Sequence, residues 1–128
     1  MNFKDKEAIY LQIADYVSEH ITLGKWQPEE KIPSVRDLAS ALQVNPNTVM
    51  RTYEHLQQQE IVFNKRGLGL FVAPDAITRI KAARKERFLQ QELPGFFNSL
   101  FLLDIEPADI LKHYEDFKKS KSADNENK

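Results

Sequence analysis

Between Val44 and Arg51 the chain reads Val44-Asn45-Pro46-Asn47-Thr48-Val49-Met50-Arg51. Asn45 is a good helix N-cap, and Pro46 falls at the first helical position, where its missing N–H costs nothing. The spacing predicts that Val49, Tyr53 and Leu56 face inward. Asn47, Thr48, Arg51, Thr52 and His55 are then expected on the other side. Arginine suits a bidentate contact with guanine and asparagine one with adenine, so this polar face fits a helix that reads base edges in a DNA major groove. The residue types for covalent or redox chemistry are missing. The chain has no cysteine, which excludes disulfides, zinc–thiolate sites and thiol catalysis. His20, His55 and His113 are far apart in sequence, and no Ser–His–acid order, phosphate-cradling glycine loop or paired carboxylate set stands out. The expectation is a binding protein rather than an enzyme, without metal or cofactor.

Such a helix needs a scaffold, and the flanking residues predict one. Ile9, Ile13, Tyr16, Val17 and Ile21 recur at helical spacing over 7–23, with Tyr10, Leu11 and His20 at the edge of the stripe. Gly24 is placed to end that helix. Ser34 is the expected N-cap of a second, short helix, with Asp37 at the third position and Val35, Leu38, Ala39 and Leu42 on its buried face. Gln43-Val44 is a tight connection to the third helix. After Gln57-Gln58-Gln59-Glu60 the period changes. Ile61-Val62-Phe63 and Leu70-Phe71-Val72 are β-prone runs around the loop Asn64–Gly69, which reads as a hairpin with a basic pair at its tip. Helix, turn, helix and hairpin in this order make a winged helix-turn-helix. Ser34 and Arg36, at the start of helix 2, are then expected at backbone phosphates, where the helix N-terminus also favours an anion. Lys65 and Arg66 are expected to reach backbone or minor groove, with Gly67 permitting close approach. With Asn45, Asn47, Thr48 and Arg51 these form the expected DNA-binding set.

Charge is distributed to match. The net charge of −1 conceals ten Lys and Arg against five acids in residues 31–90, and eight against fourteen elsewhere. Arg79, Lys81, Arg84, Lys85 and Arg87 read as the wet face of a fourth helix, which starts after Pro74-Asp75 and runs into the 90s. From there the chain is apolar at 3.5–4 residue spacing: Phe88, Leu89, Leu93, Phe96, Phe97, Leu100 and Leu103, then Ile110, Leu111 and Tyr114 after the Asp104–Pro107 break. Two helices cannot bury this many phenylalanines alone, so they are expected to pack back on the first domain or on a second chain. Pro94-Gly95 is expected to kink or interrupt the first of them. Residues 119–128 carry no large apolar side chain and are expected to be disordered. No signal-peptide pattern opens the sequence, and no apolar run is long enough to cross a membrane, so the expected location is the cytoplasm.

The chain resembles GntR-family transcription regulators. The resemblance covers residues 9–73 and rests on Tyr10-Leu11-Gln12-Ile13, Gly24-Lys25-Trp26, Ile32-Pro33-Ser34-Val35-Arg36-Asp37-Leu38-Ala39, Val44-Asn45-Pro46-Asn47-Thr48-Val49, Tyr53-Glu54 with Leu56, and Gly67 and Gly69 before Phe71-Val72. The short tail is similar to that of the YtrA-like subgroup, in which two C-terminal helices serve dimerisation. The resemblance implies a homodimer on a palindromic double-stranded operator, acting as a repressor of an ABC-transporter operon, and it leaves any small-molecule effector unspecified. It places DNA contacts on Arg36, Asn47, Thr48, Arg51 and the wing around Arg66 and Gly67. The chain departs from the family in having Glu60 where glycine is common, and in the Pro94-Gly95 interruption.

The expected architecture is therefore mainly α with a small β-hairpin wing: a winged helix-turn-helix domain over 1–73, a helical dimerisation segment over 74–118 and a disordered tail. Two other classes remain beside it: a protein-interaction module that docks through its apolar tail, and a ligand- or metal-sensing regulator.

Overall fold

A computed structural model describes residues 7–126; residues 1–6, in the expected first domain, and 127–128, in the expected disordered tail, lie outside it. Six α-helices and one hairpin follow in the order α1 (Ile9–Thr22), α2 (Val35–Leu42), α3 (Pro46–Gln58), β1 (Val62–Lys65), β2 (Gly69–Val72), α4 (Ala76–Arg87), α5 (Leu93–Leu102) and α6 (Pro107–Glu126). A π-helical turn at Phe88–Glu92 joins α4 to α5.

Of the described residues, those up to Lys85 form one compact unit and those from Glu86 another. In the first, Ile13, Val17 and Ile21 of α1 share a core with Leu38 and Ala39 of α2 and Val49, Tyr53 and Leu56 of α3. Ile32, Ile61, Val62 and Val72 close it from the sheet side. Ala76 and Ile80 of α4 are also buried in this core. The unit therefore extends past residue 73, because Ala76 and Ile80 in the first turns of α4 are buried against the winged core.

β1 and β2 pair antiparallel from Val62↔Val72 to Lys65↔Gly69. The ladder runs two pairs beyond the apolar runs, so the connecting loop shrinks to Arg66-Gly67-Leu68 and closes with a Leu68 N–H bond to the Lys65 carbonyl at 2.8 Å. The segment before α2 lies along the other edge of β2: the Ile32 N–H donates to Leu70 O at 3.0 Å and the Val72 N–H to Glu30 O at 2.8 Å.

Four helices end alike. Lys25 donates to His20 O, Val44 to Ala39 O, Ile61 to Leu56 O and Ile105 to Leu100 O, at 2.9–3.0 Å, which ties up carbonyls that the last turn leaves without helical partners. The residue before each donor is left-handed: Gly24, Gln43, Glu60 and Asp104. Just before the first of these turns His20 stacks on Tyr16 at 4.2 Å between ring centroids, and Trp26 lies 4.8 Å from the same imidazole.

In the second unit the interruption expected at Pro94-Gly95 takes the form of a change of helix type just ahead of the proline. Pro94 occupies the first turn of α5, and the turn ahead of it widens so that the Leu93 N–H bonds to Phe88 O, five residues back. A widened turn is how a helix accommodates a proline ring that would otherwise clash with the carbonyl four residues earlier. α6 runs on to Glu126, so residues 119–126, expected to be disordered, are helical. These residues are exposed and solvated through residue 125, so helix propensity and continuation from the preceding turns sustain this stretch rather than burial. No residue of α5 or of the π-turn is buried.

Candidate nucleic-acid interface

The start of α3 is built as its sequence predicts. Asn45 is extended, and its Oδ1 accepts the Asn47 N–H at 2.8 Å, while Pro46 takes the first helical position. The Asn45 carboxamide is thus committed through its oxygen to the cap, with its N–H2 still able to donate. At α2 the Ser34 Oγ accepts the Asp37 N–H at 3.1 Å, which leaves the hydroxyl proton for an outside acceptor. Arg36 beside it is exposed. α3 packs against both α1 and α2. Tyr53 fixes its tilt by donating its buried phenol to Pro33 O at 2.7 Å, just before the α2 cap. Burial, and then the Asp37 carboxylate, push the phenol pKa well up, so the group remains a donor.

The outward face of α3 is narrower than the sequence suggests. Asn47 and Arg51 are exposed and Thr48 is half-buried. Thr52 is fully buried; its hydroxyl donates to Tyr10 O of α1 at 2.7 Å, with Thr48 O a second acceptor at 3.1 Å. His55 is half-buried, edge-on to the Tyr10 ring at 6.0 Å. Both residues belong to the α1–α3 contact and leave the reading face. Arg51, spaced for an ion pair with Glu54, instead lies with its guanidinium 4.0 Å from the centroid of Tyr10. Met50 joins the exposed set at 48% accessibility. A methionine at this position gave no polar signal in the sequence, yet its apolar tip suits contact with a thymine methyl.

At the wing the cations divide. Arg66, Gly67 and Leu68 form the exposed tip, with Gly67 at φ +78°. Lys65 turns back along the strand, its ammonium 4.3 Å from the Phe71 ring centroid and 5.7 Å from that of Phe63. Lys31, which the sequence reading did not single out, lies on the neighbouring edge. Its side chain crosses Gly69 so closely that a Cβ there would sit 2.9 Å from its Cε, and Gly69 itself is at φ +109°. The signal was the pairing of Lys31 with Phe71, which only the folded sheet reveals. Lys31, Lys65 and Arg66 thus give the wing three cations.

Behind α3, Glu60 at φ +60° pairs with Arg79 of α4 at 2.9 Å, and Arg79 also holds Asp75 at 2.9 Å. Lys81, Arg84 and Lys85 are exposed.

The residues expected to dimerise gather on the second unit. Phe88, Leu89, Phe96, Phe97, Leu103, Leu111 and Tyr114 are exposed, and Leu93, Leu100 and Ile110 half-buried. Phe96 and Phe97 lie 6.3 Å apart between ring centroids, and Phe101 is 79% exposed. Among the described residues, no helix is long and apolar enough to cross a membrane.

Comparison with known proteins agrees with this arrangement. Residues 9–72 match the family described as bacterial regulatory proteins, gntR family. The HTH-type transcriptional regulator YhcF of Bacillus subtilis (strain 168) is 34% identical over 115 residues, covering 90% of this chain and 93% of that protein. The HTH-type transcriptional repressor YtrA of the same organism is 34% identical over 83 residues, 65% of this chain and 64% of that protein. Among solved structures, a regulator of GntR family from Bacteroides thetaiotaomicron superposes with a TM-score of 0.78 at 48% identity, covering 89% of this chain and 99% of that one. AraR(DBD) in complex with operator ORX1 superposes at a TM-score of 0.50 and 27% identity, over 56% of this chain and 93% of that one.

Proposed function

The chain belongs to the gntR family of bacterial regulatory proteins and is a DNA-binding transcription regulator, and we propose that it works as a homodimeric repressor on a palindromic operator. The observation that carries the reading is the capped start of α3, where Asn45 and Pro46 fix a helix end that presents Asn47 and Arg51 to solvent. Thr48 lies at its flank, Ser34 and Arg36 stand where phosphates would pass, and Arg66 and Gly67 extend the footprint from the wing. Lys65 contributes from the strand rather than the tip.

The homodimer is supported by the uncovered apolar side chains of the π-turn, α5 and α6. Ten side chains assigned to dimerisation, Phe88, Leu89, Leu93, Phe96, Phe97, Leu100, Leu103, Ile110, Leu111 and Tyr114, supply an interface, and a second copy offers the same surface in return. Repression is supported by likeness to the repressor YtrA. An ABC-transporter operon as target rests on the YtrA-like character of the tail. A transporter gene beside the coding sequence would support that target, and a transporter operon whose expression does not rise on deletion of the regulator would count against it.

Oligonucleotide selection followed by gel shift tests the main claim. A two-fold site with half-sites about one helical turn apart is expected, with affinity that falls steeply with salt. Arg51→Ala is expected to cost about 1–3 kcal/mol on the selected site and to relax base preference at one position per half-site. Equal losses on selected and scrambled duplexes would remove the base-reading role from Arg51.

A further inference from the structure

We infer that Tyr10 of α1 is a positioning residue for Arg51: its ring holds the guanidinium on the outward side of α3, so that the base-reading arginine meets DNA already ordered. The inference rests on the reading of α3 as the recognition helix. Three contacts from one residue support it. The Arg51 guanidinium carbon lies 4.0 Å above the centre of the Tyr10 ring, within the range of a cation–π contact. His55, one turn further along α3, meets the same ring edge-on at 6.0 Å. The Tyr10 carbonyl accepts the hydroxyl of buried Thr52 at 2.7 Å, which locks the backbone of α1 to α3 at this level. The backbone that carries the ring is therefore tied to α3, His55 lies edge-on to the ring, and the Arg51 guanidinium lies over its face.

The physical consequence follows from rotamer freedom. An exposed arginine has many rotamers, and those a bidentate contact excludes are lost on binding. Stacking on a fixed aromatic face restricts them beforehand, and the planar guanidinium still presents its N–H edge to a base while its face lies on the ring. Tyr10 thus acts through Arg51 and needs no base contact of its own. The ring, not the hydroxyl, does this work, so phenylalanine substitutes for it.

The test is a double-mutant cycle on the full chain, using the selected operator and a scrambled duplex, with thermal melting to follow the fold. Tyr10→Leu is expected to weaken operator binding by about three- to fivefold, the scale of an exposed cation–π contact, and to leave scrambled-duplex binding within twofold. Tyr10→Phe is expected to restore the wild-type affinity. In an Arg51→Ala background, Tyr10→Leu is expected to change nothing. A loss that persists in that background would show that Tyr10 serves the fold alone, and tighter binding by Tyr10→Leu would show that the stack draws Arg51 away from DNA. Either result overturns the inference while leaving the operator reading intact. A wild-type protein with no preference for any selected duplex would instead overturn both.

Discussion

Replacing Glu60 with glycine should make the protein more stable, although it removes an ion pair. Glu60 closes the C-terminus of α3 at φ +60°, with its own N–H on Gln57 O and the next N–H on Leu56 O, both at 3.0 Å. A left-handed side chain other than glycine costs about 1–2 kcal/mol. Glycine would return roughly 0.5–1 kcal/mol of that through the greater freedom of its unfolded chain. The Glu60–Arg79 pair, with side chains 67% and 45% exposed, is worth only about 0–1 kcal/mol in water, and Arg79 keeps its bond to Asp75. Taking the middle of each range, the balance favours Glu60→Gly by about 0.25 kcal/mol, and a shift of about 1–2 °C in Tm follows for a unit of this size. Glu60→Ala separates the terms, since it loses the carboxylate and keeps the strained φ; it should be no more stable than wild type. Chemical denaturation of all three at equal protein concentration is the assay, because the proposed homodimer would make apparent stability depend on concentration. The glycine advantage should widen as salt screens the pair. A Glu60→Gly protein less stable than wild type, with Glu60→Ala falling equally, would show that the ion pair outweighs the backbone and refute the reasoning.

Other substitutions test neighbouring contacts. Asn45→Ala should lose about 1 kcal/mol of stability with the cap to Asn47, read by denaturant titration, and weaken operator binding as the first turn of α3 frays. Thr52→Val keeps the shape and removes the buried hydroxyl bond to Tyr10 O, for an expected cost of about 1–2 kcal/mol in the same titration. Phe101→Glu, at the most exposed phenylalanine of α5, should convert dimer to monomer in sedimentation and lower operator affinity, while the winged unit retains its melting transition.

Much of the winged unit was legible because its signals are local. Ser34 and Asn45 announce their helices by type and each makes the cap bond its position suggests. Val49, Tyr53 and Leu56 are buried as their spacing requires. Thr52 and His55 were misplaced because periodicity treats a hydroxyl or imidazole as polar and therefore outward. A threonine can satisfy its hydroxyl on a carbonyl of another helix, and only the packing of α1 on α3 supplies that carbonyl. The same blindness hid Tyr10 and Lys31, whose roles depend on partners distant in sequence. Gly24 was readable as a helix end, whereas Gln43, Glu60 and Asp104 adopt the same geometry without the residue that usually signals it. At Pro94 the expected interruption was legible from the residue type, and its form, a widened turn rather than a sharp break, was not.

Trp26, the single tryptophan of the chain, packs beside His20 at the edge of the winged core, and the second unit has only Tyr and Phe as aromatic chromophores. Selective excitation of the indole therefore isolates one unit spectroscopically. Tryptophan emission will follow melting of the DNA-binding unit, while sedimentation or light scattering tests the proposed assembly through the tail. The order in which the two transitions occur on dilution or heating can then be read from unlabelled protein.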